Sequence, residues 1–161
     1  MWQLDGDQQD DGSCVLPVED DCSRYCLKIA LVEHMTTEAV IETLEDCIRM
    51  HGKPREVLTD NGPEFGGNGK GENDFDKWCD KQGIKHIRSG IHKPQTVGKV
   101  SRLQATIQYE LPYCFNDYEY FRHRYNHERP HRSLNGLTPA VVYFGYIRHK
   151  KYNPEPLIAK L

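Results

Sequence analysis

Lys93-Pro94-Gln95-Thr96-Val97-Gly98-Lys99-Val100-Ser101-Arg102 is the stretch on which the reading of this 161-residue chain turns. It closes a segment, Lys81 to Arg102, that holds six Lys or Arg and no acid, and it leads into Val97 to Leu111, a predicted helix ended by Pro112. The start of the chain has the opposite character: Met1 to Ser23 carries seven carboxylates and no Lys or Arg. A net charge of −3 hides this asymmetry. A basic strip beside an acidic pocket is what a phosphate-facing surface next to a metal-collecting site requires, and on charge alone a solvated basic face explains it equally well.

The length suits one domain, and 37% hydrophobic residues can fill its core. The acidic start and the lack of any long apolar run exclude a signal peptide and a membrane span, so a soluble, cytoplasmic protein without a membrane partner is expected. Six cysteines (14, 22, 26, 47, 79 and 114) form no Cys-x-x-Cys pair, which points to reduced, mostly buried thiols.

Strands are predicted near Gln3 to Gln8, Val15 to Val18 and Tyr25 to Val32, an antiparallel meander in prospect. Thr36 and Thr37 offer a cap to a helix in which Val40, Ile41, Leu44, Cys47 and Ile48 recur at helical spacing until Gly52 and Pro54. Val57 and Leu58 make a short buried strand ending at Asp60, because Asn61-Gly62-Pro63 cannot continue it. A glycine-rich turn (66–71), a helix around Phe75, Trp78 and Cys79, a strand at Ile84 to Ile87 and a helix at Asp117 to Asn126 follow. Three strands and then alternating helices and strands describe an α/β sheet flanked by helices. One domain is expected over residues 1–148, with 149–161, which contains Pro154 and Pro156, as an extended C-terminal tail.

Four motifs stand in order along the chain: Trp2-Gln3-Leu4-Asp5, then Asp20-Asp21-Cys22-Ser23-Arg24, then Thr59-Asp60-Asn61-Gly62-Pro63-Glu64-Phe65, and finally Tyr125-Asn126-His127-Glu128-Arg129-Pro130-His131 with Thr138-Pro139-Ala140. Together with the opening run they resemble the integrase-type catalytic cores of insertion-sequence DDE transposases, which are similar to retroviral integrase cores. The resemblance covers Trp2 to Gly145. It implies a ribonuclease H-like fold with a mixed sheet, and a metal-dependent cleavage and strand transfer of DNA. Asp5 and Asp60 would be two of three catalytic carboxylates and the ligands of Mg²⁺ or Mn²⁺. The third position is a Glu in Pro-Gln-Thr-x-Gly-Lys-x-Glu-Arg, and here Ser101 occupies it. The implied partners are DNA, as transposon ends and target, and a second copy of the chain; no small-molecule substrate is expected. Because the chain opens on the first catalytic strand, the recognition region that precedes such cores is expected to be absent, and end recognition with it.

The chemistry explains the residue types. Two hard cations roughly 3.5–4 Å apart can activate the nucleophile and stabilise the leaving oxygen, and oxygen ligands hold them. Asp60 in Asp-Asn-Gly also reads as a turn residue, and the motif around it favours the ligand role. Asp7 would share a face with Asp5 on a regular strand; Asp5 is preferred for its spacing from Trp2. A hydroxyl at Ser101 brings no charge. Gln104, Ala105 and Gln108 lie on its helix face and none is an acid, whereas Glu110, nine residues on, points away. Glu64 reads as supporting. Arg88, Lys93, Lys99 and Arg102 are the candidates for contact with the DNA backbone. His123, His127 and His131 recur every four residues, but Pro130 interrupts the helix that zinc ligation would need, and stacking or DNA contact is the preferred reading. The rival function is a catalytically inactive core acting in DNA binding or dimerisation, and Ser101 is the residue that separates the two.

Overall fold

Trp2–Leu4 (β1) and Asp7–Gln8 (β2) are two pieces of one strand. Both pair antiparallel with Cys14–Asp20 (β3), in an unbroken register that runs from Leu4 opposite Val18 to Asp7 opposite Val15. The gap between them holds Asp5 and Gly6, and Pro17 on the facing strand has no N–H to give there. Asp5 is thereby released from the ladder while staying within the sheet.

In a computed structural model that describes residues 1–67, 73–89 and 98–148, the sheet continues from β3 to Cys26–Val32 (β4), completing the expected meander. On the other side of β1, Glu56–Thr59 (β5) and then Lys85–Arg88 (β6) add in parallel. The sheet is therefore mixed, with β1 at its centre.

Helices cover both faces. Thr37–His51 (α1) starts where the Thr36 side chain accepts the Ala39 N–H and stops at Gly52, whose φ of 80° suits a residue without Cβ. Its Val40, Leu44 and Cys47 pack with Leu4, Leu16, Val18, Leu27 and Val57 of the sheet, and with Phe75 and Cys79 of Asp74–Gln82 (α2). On the opposite face, Leu103 and Ile107 of Gly98–Glu110 (α3) and Phe121 and Tyr125 of Tyr118–His127 (α4) close over Val15, Cys26 and Ile29. Truncating a fully buried residue such as Leu44 to Ala would cost roughly 2–5 kcal/mol.

The predicted helix end at Leu111 shifts slightly: α3 gives way at Glu110 to a 3₁₀ turn, Leu111–Cys114, which Pro112 can enter as an early helical residue. A helix over Pro139–Arg148 (α5) was not anticipated; Pro139 sits at its first position, where the absent N–H costs nothing. Its Ala140 joins the first core and Val142 a small cluster with Leu134 and Leu137. All six cysteines are free thiols, five of them buried and Cys22 exposed. Among the described residues no helix is long and apolar enough to cross a membrane. Part of the glycine-rich turn, Lys93 and the 149–161 tail lie outside the described residues.

Candidate active site

The parallel register of β1 with β5 sets Trp2 beside Val57 and Gln3 beside Leu58, so the same register carried past the strand ends brings Asp5 level with Asp60. Side chains just beyond the carboxyl ends of adjacent parallel strands converge on one crevice. Asp60 Oδ1 accepts the Gly62 N–H at 2.9 Å, and the Asn61 amide donates to the Ser89 carbonyl at 2.9 Å, which fixes the turn. Asp60 is thus a turn residue, as its Asp-Asn-Gly setting allowed. Glu64 folds back over the same turn. A Cβ at Gly62 would stand 2.5 Å from its Oε1, so a side chain there would push the carboxylate aside.

Helix α3 crosses above these acids. Ser101 Oγ donates to Asp5 Oδ2 at 3.1 Å, Gln104 Nε2 to the Asp5 carbonyl at 2.7 Å, and Gln108 Nε2 to Asp7 Oδ2 at 2.6 Å. This is the face on which the helical period placed them. Glu110 points away and pairs with Arg129. The start of α3 is docked by Gln3, a buried strand residue whose Oε1 accepts the Val100 N–H at 3.3 Å, and by Lys99, whose ammonium meets Asp21 at 2.8 Å. Neither anchor was foreseen, because a Gln in an alternating strand reads as a solvent-facing residue.

The carboxylates crowd one another. Burial pushes Asp5 up to about 6; the Ser101 hydrogen bond opposes this, while the charges of Asp60, Asp7 and Glu64 add to it. Glu64 is raised by burial too, with Asp60 contributing. A bound cation would relieve this repulsion, and a donor set made only of oxygens matches a hard ion such as Mg²⁺ or Mn²⁺. Among the described residues no group of three or more His, Cys, Asp or Glu side chains is placed to hold a metal, and the group that meets Asp5 from α3 is the Ser101 hydroxyl.

Behind Asp60 runs a buried relay. Thr59 Oγ1 lies 2.9 Å from the Asp60 carbonyl, to which it can donate, and 2.8 Å from His86 Nε2. His86 Nδ1 meets Asp76 Oδ1 at 2.6 Å, and Arg88 donates to Asp76 Oδ2 at 2.6 Å and to the Phe65 carbonyl at 3.0 Å. Burial pushes Asp76 up, but the hydrogen bonds from Arg88 and His86 outweigh it and hold the carboxyl below its ordinary range. Of the expected DNA contacts, then, the Arg88 guanidinium is turned to Asp76 and Lys99 is paired with Asp21, while Arg102 is exposed. The His123 and His127 rings stack 4.8 Å apart, and His131 sets its edge against Tyr125.

Residues 1–94 match the model of the integrase core domain, and residues 82–139 match a second integrase core domain model. The chain belongs to the integrase core domain family. This integrase core is 28% identical over 153 residues to an uncharacterized 39.2 kDa protein of insertion element IS476 from Xanthomonas euvesicatoria, an alignment that takes in 88% of this chain and 42% of that protein. It is 27% identical over 139 residues to an uncharacterized 31.7 kDa protein of insertion element IS407 from Burkholderia multivorans, covering 78% and 47% respectively. The chain thus spans less than half of either relative. Among solved structures it superposes on the catalytic core domain of BIV integrase with a TM-score of 0.74 at 18% identity, over 92% of this chain and 96% of that one. The HTLV-2 integrase catalytic core domain in complex with magnesium, in a dimeric form, gives 0.67 at 21% identity, over 88% and 94%. The fold is the ribonuclease H-like integrase core.

Proposed function

We propose that this chain is the catalytic core of a DDE-type transposase or integrase, built for metal-dependent DNA phosphodiester cleavage and strand transfer, and impaired in both because Ser101 stands where the third carboxylate belongs. The observation that carries the reading is the Ser101 hydroxyl 3.1 Å from Asp5, over a strand register that brings Asp5 level with Asp60. Asp5 and Asp60 would hold Mg²⁺ or Mn²⁺, which supplies charge neutralisation at the phosphate. The protein's own part is positional. Gln3, Gln104 and Lys99 fix α3 over the acids, and the Thr59 relay fixes the Asp60 turn. The domain would extend over residues 1–148, with DNA and a second copy of the chain as partners; the dimeric, magnesium-bound HTLV-2 core is a precedent for both the ion and the assembly.

Calorimetric titration with Mn²⁺ tests the site. One weak ion is expected, since a second beside it would have one acid too few, and Asp60→Asn should abolish it. Retained binding in that variant would move the site elsewhere. The rival reading, a core that only binds DNA or dimerises, is favoured by the same Ser101, and a plasmid-nicking assay with Mn²⁺ separates the two.

A further inference from the structure

Two motif segments have no part in the carboxylate site: the hairpin ending in Arg24 and the stretch around Tyr125, Arg129 and His131. They meet at one place. A cavity of about 80 Å³ opens between α3, α4 and the β3–β4 hairpin, walled by the cations Arg24, Lys99, Arg102 and Arg129 and by the polar side chains of His131 and Ser133. It is far smaller than the several hundred Å³ of a nucleoside-sized pocket and roomier than a single water requires. Two buried polar atoms among its wall residues, His131 Nε2 and Glu19 Oε2, have no hydrogen-bond partner among the described residues. Glu19 Oε2 faces Arg24 at 3.9 Å, so the atom that points to an absent occupant is His131 Nε2, since buried polar atoms are nearly always satisfied.

We propose that this cavity is a phosphate-binding pocket whose occupant is a backbone phosphate of bound DNA, a proposal that rests on the DNA-processing reading above. Lys99, Arg129 and Arg24 each also meet an acid, Asp21, Glu110 and Glu19 respectively, but four cations against these three acids leave the cavity net positive, and guanidinium groups match the oxygens of a phosphate in pairs. The Ser133 hydroxyl can donate a further bond, and His131, in the tautomer with its proton on Nε2, another. Glu19 is the one acid in the wall, yet it accepts the Tyr125 hydroxyl at 3.2 Å on Oε1 and turns Oε2 toward Arg24 at 3.9 Å, so it positions that guanidinium. Placement relative to the acids is the decisive point. Ser101 lies on one face of α3 against Asp5, while Lys99, Arg102 and Thr106 line the cavity from another face of the same helix. A strand whose scissile phosphate lay at the carboxylates and which ran on past α3 would bring another of its phosphates to the cavity, and α3 would hold both.

The experiment has two arms, both on the whole chain. In the first, inorganic phosphate is titrated while the backbone NMR signals of Arg24, Tyr125 and His131 are followed; these should shift together, and shift at least tenfold less readily in Arg102→Gln and in Ser133→Ala, both exposed positions whose variants should fold. No shift in the parent overturns the pocket. In the second arm, duplex and single-stranded oligonucleotides carrying one methylphosphonate at successive positions are bound across a salt series. At one position the neutral linkage should weaken the parent about tenfold and leave Arg102→Gln unchanged, and that variant should lose about one unit of slope in log K against log salt. Penalties that simply add at every position, with an unchanged slope, overturn the assignment to DNA. If inorganic phosphate binds and no oligonucleotide does, the pocket stands as a free-phosphate site and it is the DNA-processing reading that has failed.

Discussion

Ser101 Oγ and Asp5 Oδ2 share a 3.1 Å hydrogen bond across the end of the central strand, so position 101 already points at the acid it would join as a metal ligand. Ser101→Glu should therefore place a carboxylate in the crevice without moving α3, which Gln3, Gln104 and Lys99 hold independently. Without a divalent ion the variant should melt below the parent, since it adds a charge to a crowded cluster; Mg²⁺ should more than restore it. Nicking of plasmid DNA with Mn²⁺ should rise by two to three orders of magnitude, on the scale of about 4 kcal/mol of transition-state stabilisation per catalytic contribution of this kind. A parent as active as the variant would mean that another residue supplies the third ligand.

The Thr59 relay makes a separate prediction about the Asp60 turn. Thr59→Val keeps the shape but removes the hydroxyl that joins His86 to the Asp60 carbonyl. Leaving a buried imidazole nitrogen without its partner should cost roughly 1–3 kcal/mol, read as a lower urea midpoint at constant slope. His86→Ala should cost more, because Asp76 then loses one of its two hydrogen-bond partners and a cavity opens beside Phe75. An unchanged midpoint in Thr59→Val would show that the turn is held by Asn61 and Gly62 alone.

The parts of this site legible in the sequence are those governed by local rules. Thr36 and Gly52 bound α1, Asn61-Gly62-Pro63 ends β5 at Asp60, and a period of 3.6 put Gln104 and Gln108 on the face of Ser101 and Glu110 off it. The rest depends on contacts far apart in the chain. Gln3 serves α3 from 97 residues away, and His86 finds Asp76 only because β6 lies against α2. The helix starting at Pro139 is not legible because Thr138-Pro139-Ala140 reads as a signature and not as a helix start. Alternation along β3 gave no sign that Glu19 would be buried, since a carboxylate in a strand reads as its wet face.

Asn126 illustrates how a motif residue can be structural. Its side chain accepts the Cys26 N–H and donates to the Cys26 carbonyl, both at 2.8 Å, taking the place of a neighbouring strand at the edge of β4. The residue is 1% exposed, so no water can substitute. Asn126→Leu should destabilise the fold by roughly 2–4 kcal/mol by stranding both backbone groups. Asn126→Asp should not rescue it, because a carboxylate facing the Cys26 carbonyl has no proton to give. A loss below about 0.5 kcal/mol in the urea midpoint would mean that α4 is held to β4 by its apolar contacts alone.

Glu19 should give the fold a measurable dependence on pH. Burial pushes its carboxyl up to about 7, and the partial compensation from Arg24 and the Tyr125 hydroxyl does not cancel it. The unfolded chain has this group near its ordinary 4.5, so between the two values the folded state binds the proton more tightly. The contribution is fully present below about pH 4.5 and is lost as pH rises through about 7; with each unit worth about 1.4 kcal/mol, the loss is roughly 3 kcal/mol. Glu19→Gln keeps the shape, has no charge to bury, and still offers Tyr125 an acceptor. Its stability should therefore match the parent near pH 4.5 and exceed it at pH 8 by up to about 3 kcal/mol, with the difference opening between pH 5 and 8. Urea unfolding of both proteins at half-unit pH steps measures that difference directly, and other titrating groups common to the two proteins cancel. A gap that stays constant across the series would place the ionised carboxylate comfortably in the fold, held by Arg24, and would refute the assignment of the proton to Glu19.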